Sequence, residues 1–110
     1  MKITLICLLL TMTSVAMAQT SKGKDYYLLV GTYTNEAKTN GIHVYTFNTG
    51  TGDFQEKSIT TGITNPSYIA ISKDRKNVYS VSEAGQGKGV NAYAFDLATG
   101  KLTFLNSGSA

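Results

Sequence analysis

The chain repeats itself. Gly41-Ile-His-Val-Tyr-Thr-Phe-Asn-Thr-Gly-Thr-Gly-Asp-Phe54 lines up with Gly89-Val-Asn-Ala-Tyr-Ala-Phe-Asp-Leu-Ala-Thr-Gly-Lys-Leu102, with Gly41 matching Gly89 at an offset of 48 residues. Gly, Tyr, Phe, Thr and Gly are identical in the two stretches, and Ile/Val, Asn/Asp and Phe/Leu are conservative. Upstream, Tyr27-Leu-Leu-Val30 matches Val78-Tyr-Ser-Val81 at an offset of 51, because a longer loop separates the two strands in the first copy. A tandem unit of this kind buries its faces against its neighbours, so the chain must stack copies rather than build one closed core.

Each unit is made of strands. Past Lys24, Tyr, Val, Ile, Thr and Phe alternate with Gly, Asn and Asp punctuation, and no useful stretch has helical periodicity. The first copy predicts strands over 26–33, Ile42–Asn48 and Phe54–Thr60. The second predicts an innermost strand over 66–72, then 77–83, 90–96 and 101–106. Pro66 suits a strand start, where no ladder donor is needed, and Gly100 suits a turn needing positive φ. No innermost strand precedes 26–33, and 107–110 reads as a loop with nothing to donate. The sequence therefore predicts seven strands from two four-stranded units.

Side-chain alternation says how the units meet. Ile42, Val44 and Thr46 share one face of their strand, and His43, Tyr45 and Phe47 share the other. In the second copy Val90, Ala92 and Ala94 oppose Asn91, Tyr93 and Phe95. Neither face is the plain polar one of a half-solvated sheet. A small aliphatic face backed by an aromatic face suits radial stacking, the aromatic side of one sheet filling space beside the small side of the next. A period near 48 also falls in the range of about 40–50 residues for propeller blades. The fold expected is all-β, the first two blades of a β-propeller. The alternative is a complete small β-sandwich of residues 19–110.

The first eighteen residues read differently. Lys2 is followed by the apolar run from Ile3 to Val15, and Ala16-Met-Ala18 offers a small-x-small cleavage pattern. The run is short for a span of about 20 apolar residues. Residues 1–18 are therefore expected to be a signal peptide, and residues 19–110 the N-terminal part of an exported, periplasmic or secreted, propeller. Cys7, the only cysteine, leaves with the signal, which excludes a disulfide framework or cysteine nucleophile from the mature part. The formal charge of +3 is too small and scattered to point to nucleic acid or a membrane surface.

Few residues offer chemistry. His43, the only histidine, shares a face with Tyr45 and Phe47 and reads as packed between blades. Glu83 ends a strand where loops of the ligand-bearing rim begin, so its carboxylate is a candidate for binding sugar hydroxyls or accepting a proton. Ser67 and Tyr68, at the channel end of the innermost strand, are lesser candidates. The upper rim loops would be 31–40, 62–65 and 84–88. The 73–76 turn, with the only arginine, Arg75, would lie on the opposite face. Gly85-Gln-Gly-Lys-Gly89 lacks the phosphate-loop spacing, no Gly-x-Ser-x-Gly elbow occurs, and no metal-binding motif or cofactor signature is present.

Asn65-Pro-Ser-Tyr-Ile-Ala-Ile-Ser-Lys-Asp74, Asn77-Val-Tyr-Ser-Val-Ser-Glu83, Gly89-Val-Asn-Ala-Tyr-Ala-Phe-Asp96 and Thr99-Gly-Lys-Leu102 resemble the seven-bladed propeller lactonases, best known for 6-phosphogluconolactonase activity. The opening Tyr27-Leu-Leu-Val-Gly-Thr-Tyr-Thr34, followed by Gly41-Ile-His-Val-Tyr45, resembles the start of that family. The likeness covers nearly all of 25–110, about a quarter of a family member. It implies a protein, monomeric when full length, that opens a small-molecule sugar-acid lactone without a cofactor or metal. It also implies catalytic His and Arg residues in later blades, beyond Ala110, so that the present residues alone would be inactive. A non-catalytic exported propeller binding a glycan or a protein is the competing expectation, since a fold does not by itself fix a function.

Overall fold

A computed structural model describes residues 22–34, 40–83 and 89–109. The expected signal peptide, Ala110, the 84–88 loop and residues 35–39 of the 31–40 loop lie outside these described residues. The described chain forms seven strands: β1 (Asp25–Gly31), β2 (Ile42–Asn48), β3 (Phe54–Thr60), β4 (Ile69–Ile71), β5 (Asn77–Ser82), β6 (Gly89–Asp96) and β7 (Lys101–Ser109). They make two antiparallel sheets in simple chain order, a three-stranded β1-β2-β3 blade and a four-stranded β4-β5-β6-β7 blade. The all-β expectation and the division into units of three and four strands hold.

Three strands differ from the sequence expectation by more than one residue at an end, each for a local reason. The strand expected over 66–72 shrinks to Ile69–Ile71. Asn65 adopts a left-handed φ of 47°, and the Ser67 N–H donates back to the Asn65 carbonyl at 2.8 Å, so the chain is still turning at Pro66. At the other end, residues 107–109 are strand rather than loop. Ser107, Gly108 and Ser109 pair with Asn91, Val90 and Gly89, a bulge between Ala92 and Tyr93 having shifted the register. The bulge absorbs Leu105, which the two-residue alternation had not signalled. β1 stops at Gly31 rather than running to residue 33: the Thr32 N–H makes a last bond in register, to the Gly41 carbonyl at 3.1 Å, and the Thr34 N–H then turns away to Asn65 Oδ1 at 2.9 Å.

The blades pack as the alternation demands. Ile42 and Val44, on the aliphatic face of the first blade, lie against Tyr93 and Phe95, on the aromatic face of the second, with Val78 and Ile63 completing the buried cluster. Tyr27, Leu29, Ile69 and Leu102 close around it. Burying each of the larger side chains stabilises the pair by about 1.5–3 kcal/mol, and Tyr27 meets Phe95 edge-to-face with ring centroids 5.1 Å apart. Polar contacts tie the same seam: the Tyr27 hydroxyl donates to the Leu97 carbonyl at 2.7 Å and the Ser58 hydroxyl to the Gly100 carbonyl at 2.6 Å. The backbones come closest at Gly31, where a Cβ would stand 1.8 Å from the Pro66 carbonyl oxygen. Only glycine allows that approach.

The two remaining broad faces are open. On the first blade's open face Phe54 is 70% exposed and Leu28 and Val30 are also exposed, and on the second blade's Tyr79 and Val90 are. His43 belongs to this open face of the first blade, not to the seam with the second. Its neighbours Ile42 and Val44 face the second blade, so strand alternation turns His43 away. It stacks on Tyr45, with 6.1 Å between centroids, and its Nδ1 lies 2.8 Å from Glu56 Oε1.

Candidate functional site at the upper rim

Antiparallel register sorts the connections onto two rims. Gly31, Ile42 and Thr60 lie side by side at one end of the first blade. Ser82, Gly89 and Ser109 do the same at one end of the second. The chain therefore leaves β1, β3 and β5 at this upper rim, and the 73–76 and 97–100 turns share the lower one, where the sequence expected the 73–76 turn. β4 stands at the sheet edge opposite β7 and packs beside β1, so the start of β4 opens on the channel side.

The rim is assembled around Asn65. Its left-handed backbone is tolerable because a short polar side chain can bond locally. Its Oδ1 accepts from the Thr34 N–H at 2.9 Å and from the Thr34 hydroxyl at 3.2 Å, while its own N–H donates to Thr34 Oγ1 at 3.0 Å. This closed ring of bonds clamps the first blade's rim loop to the second blade. Pro66, buried against Gly31, then aims the chain across the rim.

Ser67 and Glu83 meet there. The Ser67 hydroxyl donates to Glu83 Oε1 in a direct hydrogen bond, although the two are sixteen residues apart. Beside them the Tyr68 carbonyl accepts from the Val81 N–H at 3.1 Å, and the Tyr68 ring is left 70% exposed. One step further out, the Ser82 hydroxyl donates to the Thr64 carbonyl at 3.0 Å. The three residues expected from sequence are thus neighbours on an open surface: a carboxylate with one oxygen engaged, a hydroxyl fixed to it and an uncovered aromatic face. Such a set can accept hydrogen bonds from hydroxyls and lie against a sugar ring; among the described residues no histidine adjoins the Ser67–Glu83 pair. His43 is bonded to Glu56 instead.

The titratable groups that are clearly perturbed lie elsewhere. Asp74, in the lower-rim turn, is held below its usual carboxylate value by the Ser72 hydroxyl and then by the Lys76 N–H. Asp96, opening the next lower-rim turn, is held down by the Ala98 N–H and then by Thr99. In the seam, burial pushes the Tyr93 phenol up. Among the described residues no group of three or more His, Cys, Asp or Glu side chains could hold a metal, and no helix is long and apolar enough to cross a membrane.

Sequence reasoning missed the Thr34–Asn65 clamp and the Thr64–Ser82 bond. The signal for the first was available: Asn before Pro favours a turn, and the following Pro66 already marked a boundary.

Sheets that repeat, stack face to face and turn their inner edges to a common axis define a β-propeller. The chain matches the family described as "Lactonase, 7-bladed beta-propeller" over residues 27–110, and it belongs to that family. It is 39% identical over 82 residues to a 6-phosphogluconolactonase of Bacillus subtilis, an alignment covering 74% of this chain and 23% of that protein. The structure of a proposed 6-phosphogluconolactonase of Bacteroides fragilis superposes with a TM-score of 0.71 at 38% identity, over 84% of this chain and 25% of that one. The periplasmic gluconolactonase of Pseudomonas aeruginosa gives a TM-score of 0.65 at 31% identity, over 74% and 24%. The chain thus spans about a quarter of the length of its relatives.

Proposed function

We propose that the protein hydrolyses a sugar-acid lactone at the channel mouth of a propeller, and that Glu83, Ser67 and Tyr68 form part of the wall that binds the sugar. The observation that carries this reading is the direct Ser67–Glu83 bond on the rim beside the exposed Tyr68, in a chain whose relatives are named as lactonases. Glu83 accepts hydrogen bonds from substrate hydroxyls, Ser67 holds the carboxylate in place, and the Tyr68 ring lies against the apolar side of the sugar. Lactone opening adds water to the carbonyl carbon, breaks its bond to the ring oxygen and delivers a proton to that oxygen. The water base and the oxyanion donor that this needs belong to further blades, so residues 19–110 alone are inactive.

Residues 1–18 act as a signal peptide, placing the protein outside the cytoplasm as a monomer. The named periplasmic relative supports export. Phosphorylated sugar lactones form in the cytoplasm, so an exported enzyme meets unphosphorylated ones. The full-length protein is therefore expected to turn over glucono-lactone faster than its 6-phosphate. Absence of turnover on any lactone tried would overturn the reading.

A further inference from the structure

The upper rim holds a second recess, away from the channel side. A cleft of about 390 Å3 separates the end of β3 and the connection after it from the outer strands of the second blade, a size within the range of small-ligand sites. Its lining carries no charged side chain. Thr60, Thr61, Thr64, Ser82, Asn91 and Ser107 line it, beside the buried Tyr93 and the exposed Phe104. Those two rings meet edge-to-face with centroids 5.9 Å apart.

Behind the lining, Ser80 pairs with Asn91 and shares a strand face with Ser82, both of them lining residues. It is only 1% exposed, and its hydroxyl interacts with the Tyr93 phenol.

The chemistry selects the ligand. A lining rich in hydroxyl-bearing residues, with one amide, matches a molecule that presents many hydroxyls at close spacing, and the exposed Phe104 ring offers an apolar surface to ring C–H groups. A charged ligand would lose its hydration without meeting a counter-ion. We propose that this cleft binds a neutral saccharide unit, as a site separate from the channel mouth and independent of the lactonase reading.

The test is titration of the full-length protein with methyl α-glucopyranoside, followed by calorimetry and ligand-observed NMR, with glucose 6-phosphate as the charged comparison. Saturable binding of the glucoside is expected, with the phosphate binding at least about tenfold more weakly. Thr61→Val and Asn91→Leu are each expected to weaken glucoside binding about tenfold, at unchanged lactone turnover and unchanged melting temperature. The proposal is overturned by absence of saturable binding, by binding that neither variant weakens, or by equal affinity for the phosphate. Should a variant fail to fold, Ser107→Ala, on the exposed lip, serves in its place with the same expected weakening.

Discussion

The two rims of this molecule are built from the same repeat and do different things with it. On the lower rim the carboxylates are satisfied within their own turns, while the Leu97 and Gly100 carbonyls accept the Tyr27 and Ser58 hydroxyls from the other blade. Asp74 accepts from the Ser72 hydroxyl and the Lys76 N–H, and Asp96 from the Ala98 N–H, all within a few residues. On the upper rim the bonds run between distant segments: Thr34 to Asn65, Ser67 to Glu83, Ser82 to Thr64. A turn that closes on itself tolerates change without consequence for its neighbours. A rim bonded across segments fixes the relative positions of side chains left open to solvent, which is what a binding surface requires.

The sharpest way to break this contrast is at the carboxylates. Glu83→Gln in the full-length protein is expected to raise KM for a neutral lactone by about 10–100-fold, the loss of a hydrogen bond to a charged group. Asp74→Asn on the lower rim is expected to leave KM unchanged. Steady-state kinetics of the two variants, side by side, decide it; equal effects would erase the distinction between the rims.

Backbone strain offers a test with opposite signs. Asn65 and Arg75 are the two non-glycine residues with positive φ among the described residues, at 47° and 61°. Asn65→Gly relieves little strain and loses both bonds accepted by Oδ1, so a destabilisation of about 1–2 kcal/mol is expected. Arg75 uses no side-chain hydrogen bond among the described residues, and its left-handed backbone costs about 1–2 kcal/mol. Glycine there removes that strain at an entropic cost of about 0.5–1 kcal/mol, for a net stabilisation of about 0.5 kcal/mol. Thermal melts of both variants should move in opposite directions.

The smallest effect lies in the response to acid. Asp74 and Asp96 both have lowered values in the folded state, from an ordinary 3.8. Their contribution to stability is therefore present above that ordinary value and is lost as pH falls through their lowered ones. Melting temperatures taken from pH 5 down to pH 2 should fall less steeply in the Asp74→Asn, Asp96→Asn double variant than in the parent.

How far the sequence disclosed this molecule differs between the seam and the rim. The seam was legible because two-residue alternation is a direct readout of strand faces: Ile42 and Val44 against Tyr93 and Phe95 followed from position alone. The ends of strands were less so. The extension of β7 to Ser109 depends on the bulge opposite Ala92 and Tyr93, and the shortening of β4 depends on Asn65, a conformation no periodicity encodes. At the candidate site Glu83, Ser67 and Tyr68 were each nameable, since each sits at a predicted strand end. Their contact was not, because it spans two connections whose paths are set by the Asn65 clamp and by the Gly31–Pro66 approach.

The central claim is that the sugar lies against the upper rim beside Glu83. The most direct measurement is a crystal structure of the full-length protein with gluconate bound. The expected result is a sugar acid at the channel mouth, its hydroxyls within hydrogen-bond distance of the Glu83 carboxylate and its ring beside Tyr68. Gluconate bound elsewhere, with the Ser67–Glu83 pair facing only water, would contradict the account.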